Sequence, residues 1–113
     1  MTVYELFQSA LRREPPPDLP HVVDDGEQHR AAFDLTFEHG RIVRAQYRAS
    51  TCVTLVALCE ELSRIAVGLT RAQALGLNAN SLLLLHPEIP PARQARAALA
   101  VRAFEAALLE TTL

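Results

Sequence analysis

Two cysteines are the residues of this chain best suited to chemistry, because a thiolate is both a nucleophile and a metal ligand. Cys52 follows an alternating segment and opens an amphipathic one, so we expect it in the first turn of a helix, with Ser50 or Thr51 as the N-cap. Free backbone N–H groups and the positive end of the helix dipole would favour the thiolate there. The alternative is a small buried hydrophobic residue, which is how a free cysteine usually behaves.

Cys59 lies seven residues further along the same predicted helix. Two helical turns separate the two thiols by about 10 Å along the axis, so no disulfide can join them without unwinding the helix. We expect Cys59 in the apolar stripe of that helix, as a core residue and not a ligand. Two cysteines without C-x-x-C spacing also make a closed tetrahedral zinc site improbable.

Length and composition limit the classes of function that remain. The 113 residues fit one domain, and a net charge of −2 with 11 basic and 13 acidic residues argues against a nucleic-acid partner. Every basic residue is arginine, which excludes lysine chemistry. The longest apolar run, Leu82 to Leu85, is too short to cross a bilayer and no signal pattern opens the chain, so we expect a cytoplasmic protein with no membrane contact.

The elements that must position Cys52 begin with an N-terminal helix. A capping box from Thr2 to Glu5 and apolar residues at helical spacing predict a helix over residues 3–13. Residues 14–20 are a proline-rich spacer, and residues 21–113 form the body of the single domain. Within the body, residues 21–23 predict a short edge strand and residues 24–27 a turn.

A hairpin precedes Cys52. Alternation with a period of two begins at Arg30, and His39-Gly40 has the form of a two-residue turn. The predicted inward-facing residues are Ala31, Phe33, Leu35 and Phe37 on the first strand and Val43, Ala45, Tyr47 and Ala49 on the second.

Helices follow it. We expect one from Cys52 to Val67 ended by Gly68, and a short one opened by the capping box at Thr70. We then expect a break at residues 78–80, one turn over residues 81–86, a rigid extended segment at residues 89–91 and a long helix over residues 92–109. The buried face of that last helix is predicted to contain Ala97, Val101, Phe104 and Leu108. Strands followed by helices predict an α+β fold in which helices cover one face of a small antiparallel sheet of about three strands.

The order and spacing of several segments resemble one known family. These segments are Gly40-Arg-Ile-Val-Arg-Ala-Gln-Tyr-Arg-Ala-Ser-Thr-Cys52, the helix to Gly68, Thr70-Arg-Ala-Gln-Ala74, Ile89-Pro-Pro-Ala-Arg93 and the alanine-rich last helix. Over residues 31–110 the chain is similar to the U-type iron–sulfur cluster assembly scaffolds, the family of IscU and the NifU N-terminal domain. The resemblance implies that fold, places the family's strand-end cysteine on Cys52, and places its chaperone-recognition segment on Ile89, Pro90, Pro91, Ala92 and Arg93.

The other ligand positions of the family are changed. Gly26 and Gln28 stand where its first cysteine and its aspartate would be, and Ala95 and Arg96 where its histidine and third cysteine would be. A two-iron cluster normally needs four protein ligands, and this chain offers one from the family's positions. We therefore expect no cofactor held by a single chain; an iron–sulfur cluster, iron or zinc would need ligands from a partner.

The resemblance suggests roles for several further residues. Asp24, Asp25 and His29 could approach Cys52 as substitute ligands, although carboxylates match soft metal sites poorly and a solvated loop is the alternative. Arg93 and Arg96 would lie near Cys52 and stabilise its thiolate. The remaining histidines, His21, His39 and His86, are expected at the surface.

Two hypotheses about function follow. The first is a degenerate member of the scaffold family, in which Cys52 accepts persulfide sulfur and the partners are a cysteine desulfurase, an Hsp70-type chaperone or a second copy of the chain. The second is a metal-free interaction or regulatory module that reuses the scaffold fold to bind such a partner. An independent enzyme is not expected, because the sequence has no nucleophile elbow, phosphate loop or paired-histidine motif.

Overall fold

The structure is a computed structural model that describes residues 1–110. Its elements are α1 (Val3–Leu11), β1 (Val23–Asp24), β2 (Arg30–Glu38), β3 (Arg41–Ala49), α2 (Val53–Ala66), α3 (Arg71–Leu75), α4 (Ala79–Leu85), a single 3-10 turn (Pro91–Arg93) and α5 (Ala95–Glu110). The strands form one antiparallel sheet in the order β1-β2-β3. Helix α5 packs against β2 and α2 packs against β3, which confirms the α+β prediction.

The N-terminal helix begins as its capping box predicts. The Glu5 N–H donates to Thr2 Oγ1 at 3.1 Å, and the Thr2 N–H donates to the Glu5 carboxylate at 2.9 Å. The helix ends at Leu11, two residues earlier than predicted, because Arg12 is its C-cap. Leu6 is completely buried where α1 packs on α2.

The hairpin differs from the prediction at Val43, which is 43% exposed although its alternation placed it inward. Thr36 pairs with Arg44 while Phe37 pairs with Ile42, so Val43 is the extra residue of a β-bulge. The bulge leaves Ile42 and Ala45 buried on the same face. At the hairpin turn His39 and Gly40 have φ angles of 53° and 77°, the positive values that a type I′ turn requires.

Several boundaries are also shifted. The edge strand is Val23–Asp24 in place of residues 21–23, since His21 has a left-handed φ of 59°. The break predicted at residues 78–80 lies at residues 76–78, because α3 ends at Leu75 and Asn78 already caps α4, its Oδ1 accepting the Ser81 N–H at 2.9 Å. The predicted helix over residues 92–109 is divided into the 3-10 turn and α5.

The core lies between the sheet and the helices. The predicted buried face of α5 is confirmed, because Ala97, Val101, Phe104 and Leu108 are at most 6% exposed. Phe104 contacts Phe33 of β2 edge-to-face, with ring centroids 5.4 Å apart. Cys59 is fully buried in this core, as predicted.

Candidate functional site

Cys52 joins β3 to α2, but it is the N-cap and not the first helical residue. Its backbone is extended, with φ −147° and ψ 118°, and its side chain makes no capping hydrogen bond. The predicted caps are wrong: Cys52 itself is the N-cap, and Ser50, just beyond β3, is hydrogen-bonded to Arg30 of β2. Its N–H donates to the Arg30 carbonyl, and its hydroxyl accepts the Arg30 N–H, both at 2.9 Å. Thr51 is an exposed residue of the connection.

The Cys52 side chain is partly exposed beside the first turn of a 14-residue helix. The first N–H groups of a helix have no partner within it, and the side chain of the N-cap residue does not cap those of α2. The positive end of the helix dipole lies at the same terminus. Cys52 is therefore a thiol that a reagent or a partner can reach beside the start of α2.

Asp25 and His29 are brought together, though not into a metal site with Cys52. Asp25 Oδ2 lies 3.0 Å from His29 Nδ1, and Asp25 Oδ1 accepts the N–H groups of Glu27 at 2.7 Å and His29 at 3.2 Å. Burial raises the pKa of Asp25, but these hydrogen bonds and the nearby imidazole outweigh it and leave the pKa below its ordinary value. Among residues 1–110 no group of three His, Cys, Asp or Glu side chains is placed to hold a metal ion.

The two arginines proposed to stabilise the thiolate lie at the end of the 3-10 turn and in the first turn of α5. Arg93 is exposed, whereas Arg96 is partly buried and its Nε has no hydrogen-bond partner among the residues that the structure describes. Within the described part of the chain, neither guanidinium makes a hydrogen bond or ion pair with Cys52. Any effect of these arginines on the thiol would act across a longer distance.

The proposed docking segment is exposed except at its first residue. Ile89 is only 5% exposed and belongs to the core, with its N–H donating to the His86 carbonyl at 3.1 Å. Pro90, Pro91, Ala92 and Arg93 are exposed. A partner could therefore contact these four residues without displacing Ile89, although Pro91 also begins the 3-10 turn that leads into α5.

His86 is not the surface residue that its position before Pro87 suggested. It is 2% exposed, and neither ring nitrogen has a hydrogen-bond partner among residues 1–110. Its nitrogens lie 3.5 Å from the Glu61 carboxylate and 3.6 Å from that of Glu88. Glu88 also accepts the Val3 N–H at 2.9 Å; this hydrogen bond is the main cause lowering the pKa of Glu88. The spacing of four from buried Leu82 could have placed His86 on an inward face.

A second buried polar group, Glu60, was missed by sequence reasoning. It is 1% exposed and accepts hydrogen bonds from the hydroxyls of Tyr47 at 2.7 Å and Ser9 at 3.0 Å. Arg13 Nε lies 2.7 Å from the same carboxylate, and the Arg13 guanidinium also donates to Ser63 at 3.0 Å. We call these five residues the Glu60 network. Burial and the Glu60 carboxylate raise the pKa of Tyr47 above its ordinary range, so Tyr47 is a neutral donor.

The fold and this site define a small α+β domain with one partly exposed thiol at the start of a helix. No family model matches the sequence, and no curated protein matches it. A solved structure, described as the crystal structure of a hypothetical protein at 2.3 Å resolution, is similar in fold, with a TM-score of 0.69. The two share 14% sequence identity, and the match covers 96% of this chain and 97% of the other. Among the described residues no helix is long and apolar enough to span a membrane.

The two cysteines should differ sharply in reactivity. Burial, with the neighbouring Glu60 carboxylate, raises the pKa of Cys59, which keeps that thiol neutral. We expect one thiol per chain to react with an aromatic disulfide reagent in the native protein and two after denaturation. The Cys52→Ser variant should lose the fast reaction. Two fast thiols in the native protein would contradict this assignment.

Proposed function

We propose that the protein is a degenerate scaffold-like member of the iron–sulfur cluster assembly machinery, which accepts persulfide sulfur on Cys52 and holds no cluster as a single chain. The observation that carries the proposal is the position of Cys52, partly exposed where β3 ends and α2 begins. The resemblance assigns the family's strand-end cysteine to this residue. An N-terminal helix, a three-stranded antiparallel sheet and a helical second half are consistent with the IscU and NifU type of fold.

The chemistry needs only one thiolate on this chain. The Cys52 thiolate attacks the outer sulfur of a cysteine persulfide on a donor protein. A new sulfur–sulfur bond forms at Cys52, the donor's sulfur–sulfur bond breaks, and the donor cysteine leaves as a thiolate. The sulfane sulfur moves without net oxidation or reduction, so no further reactant is required. A cysteine desulfurase is the class of protein that presents such a persulfide.

Sulfur transfer can be tested directly. The protein is mixed anaerobically with a cysteine desulfurase and L-cysteine, then alkylated and analysed by peptide mass spectrometry. We expect one added sulfur atom on Cys52. The Cys52→Ser variant should gain none, because a hydroxyl cannot replace the thiolate at neutral pH.

Cys59→Ala is the matched control, since it removes the buried thiol and leaves Cys52 unchanged. It should accept sulfur as the unmodified protein does. If Cys52→Ser accepts as much sulfur as the unmodified protein, or if no sulfur reaches either cysteine, the persulfide role is abandoned.

The second candidate function is a metal-free interaction module with the same fold. It is favoured by the pairing of Asp25 with His29 inside their own loop, and by the exposure of Pro90, Pro91, Ala92 and Arg93. Anaerobic purification followed by iron, zinc and sulfide analysis separates the two. Metal-free protein that resists cluster reconstitution and gains no sulfur, yet retains a desulfurase or Hsp70-type chaperone in a pull-down, would support this second function.

A further inference from the structure

One edge of the sheet has backbone groups without partners. The Ser50 N–H donates to the Arg30 carbonyl across to β2, so Ser50 is in a hydrogen-bonded pair of the ladder. Backbone hydrogen bonding alternates along an antiparallel strand, so the N–H and C=O groups of Arg48 and Gln46 point toward β2. The backbone groups of Ala45, Tyr47 and Ala49 point away from β2, and we call these three residues the β3 edge. Within residues 1–110 no other segment pairs with their backbone groups.

The same edge is closed at the beginning of the strand. Ile42 also points away from β2, and its N–H donates to the Leu69 carbonyl at 2.8 Å while its carbonyl accepts the Gly68 N–H at 2.8 Å. The protein thus satisfies the edge near the hairpin turn with the loop after α2. The rest of the β3 edge, about 13 Å from Ala45 to Ala49, has no strand beside it among the described residues.

A groove of about 370 Å³ runs along this open length. Consecutive residues of β3, from Arg44 to Ala49, line it, as expected of a groove that runs along a strand edge rather than above one face of the sheet. Its opposite wall is formed by the end of α1 together with Pro15 and Pro16. The Arg48 guanidinium fixes this wall by donating to the Pro16 carbonyl at 2.7 Å.

Charge distinguishes between the possible occupants. Three arginines line the groove, Arg13, Arg44 and Arg48, against one carboxylate, Glu14. Arg13 is committed to the buried Glu60, but the side chain of Arg44 is exposed and forms no ion pair with any described residue. If a second copy paired through its own β3, arginines of both copies would lie close together where the two strands meet. Their like charges disfavour this self-association. An acidic strand would instead be attracted.

We propose that the β3 edge binds an extended acidic segment of a protein partner, which adds to the sheet as a fourth strand. Backbone hydrogen bonds at Ala45, Tyr47 and Ala49 supply affinity, and the arginines beside the groove select acidic side chains. The interaction is independent of Cys52 and of any sulfur transfer. It would give the chain a partner-binding surface separate from the segment before α5.

Amide hydrogen exchange by NMR tests the proposal, with an acetylated and amidated Glu-Val-Glu-Val-Glu-Val peptide as the probe. In the free protein the amides of Ala45, Tyr47 and Ala49 should exchange faster than those of Gln46 and Arg48. Saturating peptide should slow the three outward amides by about tenfold or more and leave the two inward amides unchanged. A Lys-Val-Lys-Val-Lys-Val peptide should give no such protection.

Arg44→Glu reverses the charge of an exposed side chain, and Arg102→Glu on α5 makes the same change outside the groove. We expect Arg44→Glu to weaken binding of the acidic peptide by about tenfold and Arg102→Glu to leave it unchanged. The proposal is overturned if the acidic peptide gives no protection at millimolar concentration or if the lysine peptide protects equally. Protection that rises with protein concentration without peptide would identify a second copy as the occupant and overturn it as well.

Discussion

An Arg13→Met variant is expected to unfold with a free energy about 3 kcal/mol lower than that of the unmodified protein. The substitution retains much of the apolar stem of the side chain but removes the cation 2.7 Å from the buried Glu60 carboxylate. Breaking a buried ion pair by deleting one partner is costly, because the remaining charge stays in a medium that solvates it poorly. The hydrogen bonds from Tyr47 and Ser9 remain, as does Arg64 Nη1 at 3.7 Å from the carboxylate, and they limit the loss. Urea denaturation followed by circular dichroism measures the change.

Arg12→Met is the matched control, since Arg12 is exposed and its side chain is not among the hydrogen-bond or ion-pair partners described for the Glu60 network. Its effect should stay within about 0.5 kcal/mol. A double-mutant cycle with Glu60→Gln isolates the charge term. Arg13→Met should cost much less in the Glu60→Gln background, because no buried carboxylate then loses its nearest cation. Equal costs in the two backgrounds would show that Arg13 acts through packing alone.

The second large effect is expected at Phe104. Replacing it with alanine should lower the free energy of unfolding by about 4 kcal/mol, since the ring is fully buried and contacts Phe33 edge-to-face. The lost burial and the cavity left between α5 and β2 both contribute. Denaturant unfolding again provides the measurement.

Leu109 lies near the end of the same helix and is 72% exposed, so Leu109→Ala serves as the control for helix propensity and side-chain size. It should change stability by about 0.5 kcal/mol or less. A loss below about 1 kcal/mol for Phe104→Ala would mean that the sheet and α5 collapse around the missing ring.

Local signals in the sequence predicted much of the fold. The capping boxes at Thr2 and Thr70 depend on residues three positions apart, and both are present in the structure. The periodicity of α5 identified its buried face because every fourth or third residue of a helix shares one side. The bulge at Val43 could not be found in this way, since one inserted residue changes the ladder without changing the residue types around it.

The surroundings of the thiol were less predictable, because they depend on contacts between distant parts of the chain. Ser50 does not cap α2 because its hydroxyl accepts a hydrogen bond from the Arg30 N–H. Arg30 lies twenty positions away, so the local sequence does not indicate this contact. Glu60 is buried through Ser9, Arg13 and Tyr47, partners supplied by α1, by the residues after it and by β3. A charged residue in a helix is otherwise expected at the surface. The prediction of His86 at the surface was wrong for a different reason, since its spacing of four from Leu82 is a local signal for the inward side of α4.

The proline-rich spacer does not mark a point at which the chain can be shortened. Two contacts hold helix α1 on the body of the domain. At its first residue the Val3 N–H donates to the Glu88 carboxylate, and just beyond its end Arg13 forms an ion pair with Glu60. A shorter chain beginning after the spacer would remove the nearer of the two cations beside the buried Glu60 carboxylate and leave the fully buried position of Leu6 empty. For expression work the smallest folding unit therefore includes α1, even though three consecutive prolines give residues 14–20 the composition of an interdomain linker.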